Sequence, residues 1–241
     1  MNIEIKCISK VFGDNKALDN ISLNIEGGKA FGILGRNGAG KTTFIRILLG
    51  IMNQDSGEIL IDGKNIRNTK VKFGYLPEER GLYLKYRVCD QLLYFAELNG
   101  LKKKEAIKII KDQLKIFKIE EYYNKKIEEL SKGNKQKIQL IAAIIHNPDI
   151  IVLDEPFSGL DPVNVELFKE VMLNLLKEKI VCPKVLTTGT PLTYSTASDD
   201  IVSKAFWYCF ISSAIFGPII ALNIKTKAII AGIRLIKPKR Q

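Results

Sequence analysis

One octapeptide, Gly35-Arg36-Asn37-Gly38-Ala39-Gly40-Lys41-Thr42, narrows the possible folds of this chain more than any other stretch of it. It fits G-x-x-x-x-G-K-[ST], between a short apolar run at 30–34 and a stretch of helical spacing at 42–49. Glycines let the backbone wrap closely around phosphates with several N–H groups pointing inward. The helix that begins there adds the positive end of its dipole. Lys41 reaches the β- and γ-phosphates as a point charge, and the Thr42 hydroxyl is a ligand for Mg²⁺. A plain glycine-rich turn satisfies the pattern by chance, but the strand–loop–helix setting argues for a bound nucleotide.

A second element lies about a hundred residues on, at Ile150-Ile151-Val152-Leu153-Asp154-Glu155-Pro156. A continuous apolar run bounded by polar residues reads as a buried parallel strand. A carboxylate at its end falls at the carboxyl edge of the sheet, where α/β proteins bind ligands. There Asp154 can hold Mg²⁺ through water, and Glu155 can act as general base on the attacking water.

The rest of the chain supports that architecture. At 241 residues it suits one core or a core with an appendage. A hydrophobic fraction of 46% with 26% charged excludes a largely disordered or fibrous chain. Four scattered cysteines without a CxxC pair and a single histidine, His146, argue against a zinc site. The first six residues alternate like a strand and lack the apolar run of a signal peptide, which points to the reducing cytoplasm. A strand is expected at 72–76, and a helix from an Asp90 cap through Leu98 to a stop at Gly100. A basic amphipathic helix follows, with Ala106, Ile107, Ile110, Leu114 and Phe117 as its apolar face. Further helices are expected at 134–145 and around Leu167, Phe168, Val171, Met172 and Leu175. Strands interleaved with helices define an α/β sheet with a helical insertion near 80–145.

Four shorter runs make the pattern specific. Leu130-Ser131-Lys132-Gly133-Asn134 opens a helix and resembles the LSGGQ signature of ATP-binding cassette (ABC) ATPases. Ser158-Gly159-Leu160-Asp161 resembles their D-loop, and Gly74-Tyr75-Leu76-Pro77-Glu78-Glu79-Arg80 their Q-loop region. Phe12, followed by Gly13, stands where the family sets an aromatic against adenine. The resemblance covers about residues 1–180. It implies an α/β P-loop NTPase core with an N-terminal antiparallel β portion and a helical subdomain at about 80–145, the ABC ATPase fold. The Glu-Glu-Arg-Gly-Leu-Tyr run resembles export-type (ABC-2) subunits of the sodium-extrusion and drug-efflux kind.

The resemblance also implies an ATPase with ATP and Mg²⁺ as its small partners. Phe12, Gly35, Arg36, Asn37, Gly38, Ala39, Gly40, Lys41, Thr42 and Thr43 would bind nucleotide, and Thr42, Glu78 and Asp154 the metal. Glu155 would be catalytic. Ser131 and Gly133 would touch the ATP of a second copy or close relative in a head-to-tail homodimer or heterodimer, with Asp161 in the D-loop. A membrane permease subunit would receive the motion, at the cytoplasmic face of the membrane.

Three departures stand out. Glu78 replaces the Q-loop glutamine and is still an oxygen ligand suited to Mg²⁺. Lys132 and Asn134 replace two signature residues. The family's histidine after the next strand is missing: the strand candidate at 184–188 is followed by Gly189-Thr190-Pro191. His146 is expected only as a helix C-terminal residue favoured by the dipole.

Composition changes at the same place. Residues 1–180 hold 29 basic and 24 acidic residues, residues 181–241 hold 8 and 2, and glutamate falls from 15 to none. At equal frequency about five glutamates are expected in the tail, so it is a different compositional object. The uncharged segment 205–224 is long enough to span a bilayer, yet Ser212, Ser213, Gly217, Pro218 and Asn223 dilute it and a basic end follows. A membrane segment, a buried or interfacial segment, and a frameshift or fusion in the gene remain open. The net charge of +11 also suits a soluble, non-transport ABC ATPase acting on nucleic acid or ribosomes. Against that rival, the basic residues lack interleaved aromatics, and no nucleic acid is expected.

Overall fold

The computed structural model describes residues 1–26, 31, 33–35, 38–77, 81–154, 156, 162–176, 180–186, 221–223 and 228–230. In chain order its strands and helices are β1 Asn2–Phe12, β2 Asn15–Glu26, β3 Ile33–Gly35, α1 Lys41–Leu48, β4 Ser56–Ile61, β5 Lys64–Asn65, β6 Phe73–Leu76, α2 Val88–Leu98, α3 Lys103–Ile116, α4 Lys132–Ile144, β7 Ile150–Asp154, α5 Pro162–Leu176, β8 Ile180–Leu186, β9 Ala221–Asn223 and β10 Ala228–Ile230. They fall into two compact units, Met1–Val71 with Leu173–Gln241, and Lys72–Met172.

In the first unit β1 is sandwiched in an antiparallel sheet ordered β2-β1-β4-β5. Its apolar residues set the register, with Ile3 opposite Ile25 and Ile61, and Ile5 opposite Leu23 and Ile59. All six of these side chains except Leu23 are buried. Alternation then breaks, because the next buried residue is Ile8 and not residue 7. The pairing shifts there on both sides of β1, and Cys7 takes φ +53. This is a bulge, which restores the inward face after one extra residue. The same unit holds the parallel pair β3–β8 and the antiparallel pair β9–β10. Helix α1 buries Phe44, Ile45, Ile47 and Leu48 along one stripe.

The second unit is built on the parallel pair β6–β7, in which Phe73 faces Ile150 and Leu76 faces Leu153. Every residue of β7 is buried, as a strand covered on both faces requires. Gly74 lies against α4 so closely that a Cβ there would overlap the Ala143 carbonyl. Helix α2 buries Val88, Leu92 and Ala96, and α3 buries Ala106, Ile110 and Leu114, the i, i+4, i+8 stripe of a packed helix. Phe117, at the α3 C-cap, meets Phe168 of α5 edge-on, with ring centroids 5.9 Å apart. Truncating Leu114 to alanine in this core would cost about 2–5 kcal/mol.

Two local expectations are corrected. Helix α2 starts at Val88 with Arg87 as its N-cap, so Asp90 lies within the first turn. Its carboxylate is not a cap because Arg87 holds it, Nε to Oδ2 at 2.7 Å, and keeps it below the usual carboxylate range. The strand expected at 184–188 begins at Ile180, since Ile180-Val181-Cys182 prolongs the apolar run, and is described to Leu186. Of the uncharged segment 205–224, only Ala221–Asn223 is described, as a strand paired with β10. Among the described residues no helix is long and apolar enough to cross a membrane.

Candidate functional site

The phosphate loop falls in the first unit. Strand β3 ends at Gly35; Gly38 and Gly40 take φ +75 and +84, and Gly40 is the residue from which α1 springs. Left-handed backbone at both points is the reason only glycine serves there. A Cβ on Gly40 would also overlap the Ala17 carbonyl of β2, so the sheet walls the loop on that side. Ala39 is buried, Thr42 and Thr43 are half-buried, and Lys41, in the first turn of α1, is only 4% exposed. A helix start beside a buried ammonium has the chemistry that suits a polyanion. Arg36 and Asn37 lie outside the described residues.

Phe12 ends β1 with 46% of its surface exposed, an unusual position for a phenylalanine and a suitable one for stacking a flat ring. The strand end carrying it is fixed by Asp55. Its carboxylate accepts the Val11 N–H at 2.7 Å and pairs with Lys10 Nζ, which also stands 5.6 Å from the Phe12 ring centroid. The Lys10 ammonium and the Val11 N–H hold the Asp55 carboxyl below its usual range. Sequence reasoning missed Asp55, because nothing local links it to a residue 44 positions away.

The second unit carries further residues singled out by the sequence. Asp154 ends β7 and is 3% exposed. Ser131 is the N-cap of α4, its Oγ accepting the Asn134 N–H at 3.2 Å. Ser131 and Lys132 are exposed, and Gly133 is half-buried. Gln136 on α4 donates from Nε2 to the Pro156 carbonyl at 3.2 Å, which ties the helix headed by Ser131 to the turn just beyond Asp154. Lys137 is buried and donates to the Phe117 carbonyl, fastening α4 to the end of α3. Neither contact had a sequence signal beyond a polar residue on a helix. Glu78, Glu155 and Asp161, together with Ser158, Thr187, Thr188 and Thr190, lie outside the described residues.

His146 is not a dipole-favoured imidazolium. It follows the α4 C-cap, is 5% exposed, and its Nε2–H donates to the Phe73 carbonyl at 2.9 Å. Burial lowers its pKa, so the ring is held neutral.

Mg²⁺ prefers hard oxygen donors in small number, the remainder being phosphate and water. The Thr42 hydroxyl, half-buried in the first unit, and the Asp154 carboxylate, buried in the second, are each of that kind. Each donor by itself is chemically suited to the ion.

A parallel strand leading into a left-handed glycine loop, a buried lysine at a helix start, and an aromatic at the end of a neighbouring sheet define a P-loop nucleotide-binding cassette. The family model of the ABC transporter matches residues 18–158, more than half of the chain, and the protein belongs to that family. It is 52% identical over 174 residues to the ABC transporter ATP-binding protein YhaQ of Bacillus subtilis, covering 72% of this chain and 58% of that one. It is 35% identical over 176 residues to the bacitracin transport ATP-binding protein of Bacillus licheniformis, covering 71% of this chain and 56% of that one. The chain thus spans less than three fifths of the length of these relatives. A solved ATP-binding cassette of an ABC transporter in its ADP conformation superposes with a TM-score of 0.67 at 24% identity, over 78% of this chain and 83% of that one. That likeness establishes the ABC ATPase fold.

Proposed function

We propose that this chain binds Mg-ATP and hydrolyses it to energise export through a separate membrane permease subunit. The observation that carries the reading is the Gly40–Lys41 start of α1, where a left-handed glycine, a helix N-terminus and a buried lysine come together. In this reading residues 1–180 are the nucleotide-binding domain, with a helical subdomain at about 80–145, and 181–241 a divergent tail. Phe12 stacks adenine, and the loop from Gly35 to Thr43 cradles the phosphates. Thr42, Asp154 and Glu78 would hold Mg²⁺, which draws charge from the phosphate oxygens when bound. Glu155 takes a proton from water as its oxygen attacks the γ-phosphorus. The bond to the β–γ bridging oxygen breaks, and ADP and phosphate leave. Two cassettes pair head to tail, Ser131 and Gly133 of each touching the other's ATP beside Asp161, at the cytoplasmic face of the membrane. The relative named for bacitracin transport supports a transport role of this kind.

Binding depends on residues that precede the compositional break, whereas the family's γ-phosphate histidine would follow it. No histidine occurs after His146, so a positioning contact worth about 10²–10³ in rate is missing. ATP binding with strongly reduced turnover is expected. A phosphate-release assay tests this: turnover near 1 s⁻¹, on the order of an ordinary enzyme rate, that disappears in Glu155→Gln would contradict it.

A further inference from the structure

Helix α3 packs its apolar stripe of Ala106, Ile110 and Leu114 inward and turns a different surface to solvent. Lys104, Lys108, Lys111 and Lys115 follow the spacing i, i+4, i+7, i+11, which places them within an arc of about 60° on the helix. They form a straight ridge about 16 Å long. All four are exposed, and Lys118, also exposed, stands just past the end of the helix. Among the described residues none of the five is in an ion pair. The acidic residues of this helix, Glu105 and Asp112, lie roughly a quarter turn to one side. Unpaired like charges on one line repel one another, so the ridge carries a standing cost that an anionic partner relieves.

We infer that this lysine ridge is a docking surface for anionic lipid headgroups. The inference rests on the transporter reading only for setting the chain beside a membrane. Two features favour a lipid surface over nucleic acid. A convex ridge of charges meets a plane and offers no cleft for a strand. The ridge contains only lysine, a compact point charge without the bidentate fork that reads bases. The apolar stripe is engaged within the unit, so attachment is electrostatic and superficial, not insertion.

Each lysine held near an anionic leaflet strengthens binding by roughly fivefold, and salt screens the effect. The test is flotation of the full chain with phosphatidylcholine vesicles containing or lacking phosphatidylserine. It uses the wild type, a variant with Lys104, Lys108, Lys111 and Lys115 all changed to glutamine, and a control with Lys16, Lys64, Lys70 and Lys85 changed to glutamine. Binding to the anionic vesicles alone is expected in about 0.1 M salt, with at least a tenfold loss in the ridge variant and at most about twofold in the control. Equal losses in the two variants, no binding to anionic vesicles, or stronger ridge-dependent binding to single-stranded RNA would each overturn the inference. Affinity for a fluorescent ATP analogue, measured in parallel, tests the nucleotide site separately and is expected to be the same in all three proteins.

Discussion

Two helices of this protein begin in ways suited to phosphate, and they begin differently. At the head of α1 the chain supplies everything itself: Gly40 is left-handed and backed by the Ala17 carbonyl, Ala39 is buried, and Lys41 is buried beside them. At the head of α4 the Asn134 N–H donates to Ser131 Oγ, and both Ser131 and Lys132 are exposed. One helix start is a walled site with its own counter-charge. The other is an exposed surface with a serine cap. That contrast underlies the proposed division of labour, with ATP bound by one chain and sensed by a second.

The contrast is broken most forcefully at α1. Lys41→Ala removes a charged donor from a buried position and is expected to weaken binding of a fluorescent ATP analogue by about ten- to a hundredfold. Gly40→Ala comes next, because alanine cannot hold φ +84 cheaply and its Cβ would overlap the Ala17 carbonyl. A loss of about 1–3 kcal/mol in unfolding free energy is expected, measurable by urea denaturation. At α4 the effects are smaller. Ser131→Ala loses a helix cap worth about 1 kcal/mol, and ATP affinity of the isolated chain is expected to stay within twofold of wild type.

The smallest effect concerns His146. Its folded pKa lies below the unfolded value of about 6.5, because burial disfavours the charged ring. Its contribution to stability is therefore complete above pH 6.5 and declines as pH falls toward the lowered folded value. Melting temperatures between pH 8 and 5 should show that decline, and His146→Gln should flatten it. An unchanged slope would mean that other groups carry the acid sensitivity.

What could be read from the sequence was local. The phosphate loop, the apolar run of β7 that ends in Asp154 and the amphipathic α3 each announce themselves within a few residues, since their chemistry or periodicity is contained there. The bulge at Cys7 could not be read, because it shows only when β2 and β4 are both paired to β1. Asp55 with Val11, Gln136 with Pro156 and His146 with Phe73 join residues 44, 20 and 73 positions apart, and each side chain alone looks like any polar residue of a strand end, helix or turn. His146 illustrates the cost of reasoning locally. A histidine just beyond a helix end suggests a charge on a dipole, while the fold buries it as a neutral donor.

The contrast between the two helix starts is tested most directly by titrating a fluorescent ATP analogue, with Mg²⁺, into the wild type, Lys41→Ala and Ser131→Ala at concentrations where light scattering shows monomer. The account predicts saturable binding by the wild type, the same affinity in Ser131→Ala, and at least a tenfold loss in Lys41→Ala. Equal losses in both variants, or normal affinity in Lys41→Ala, would contradict it.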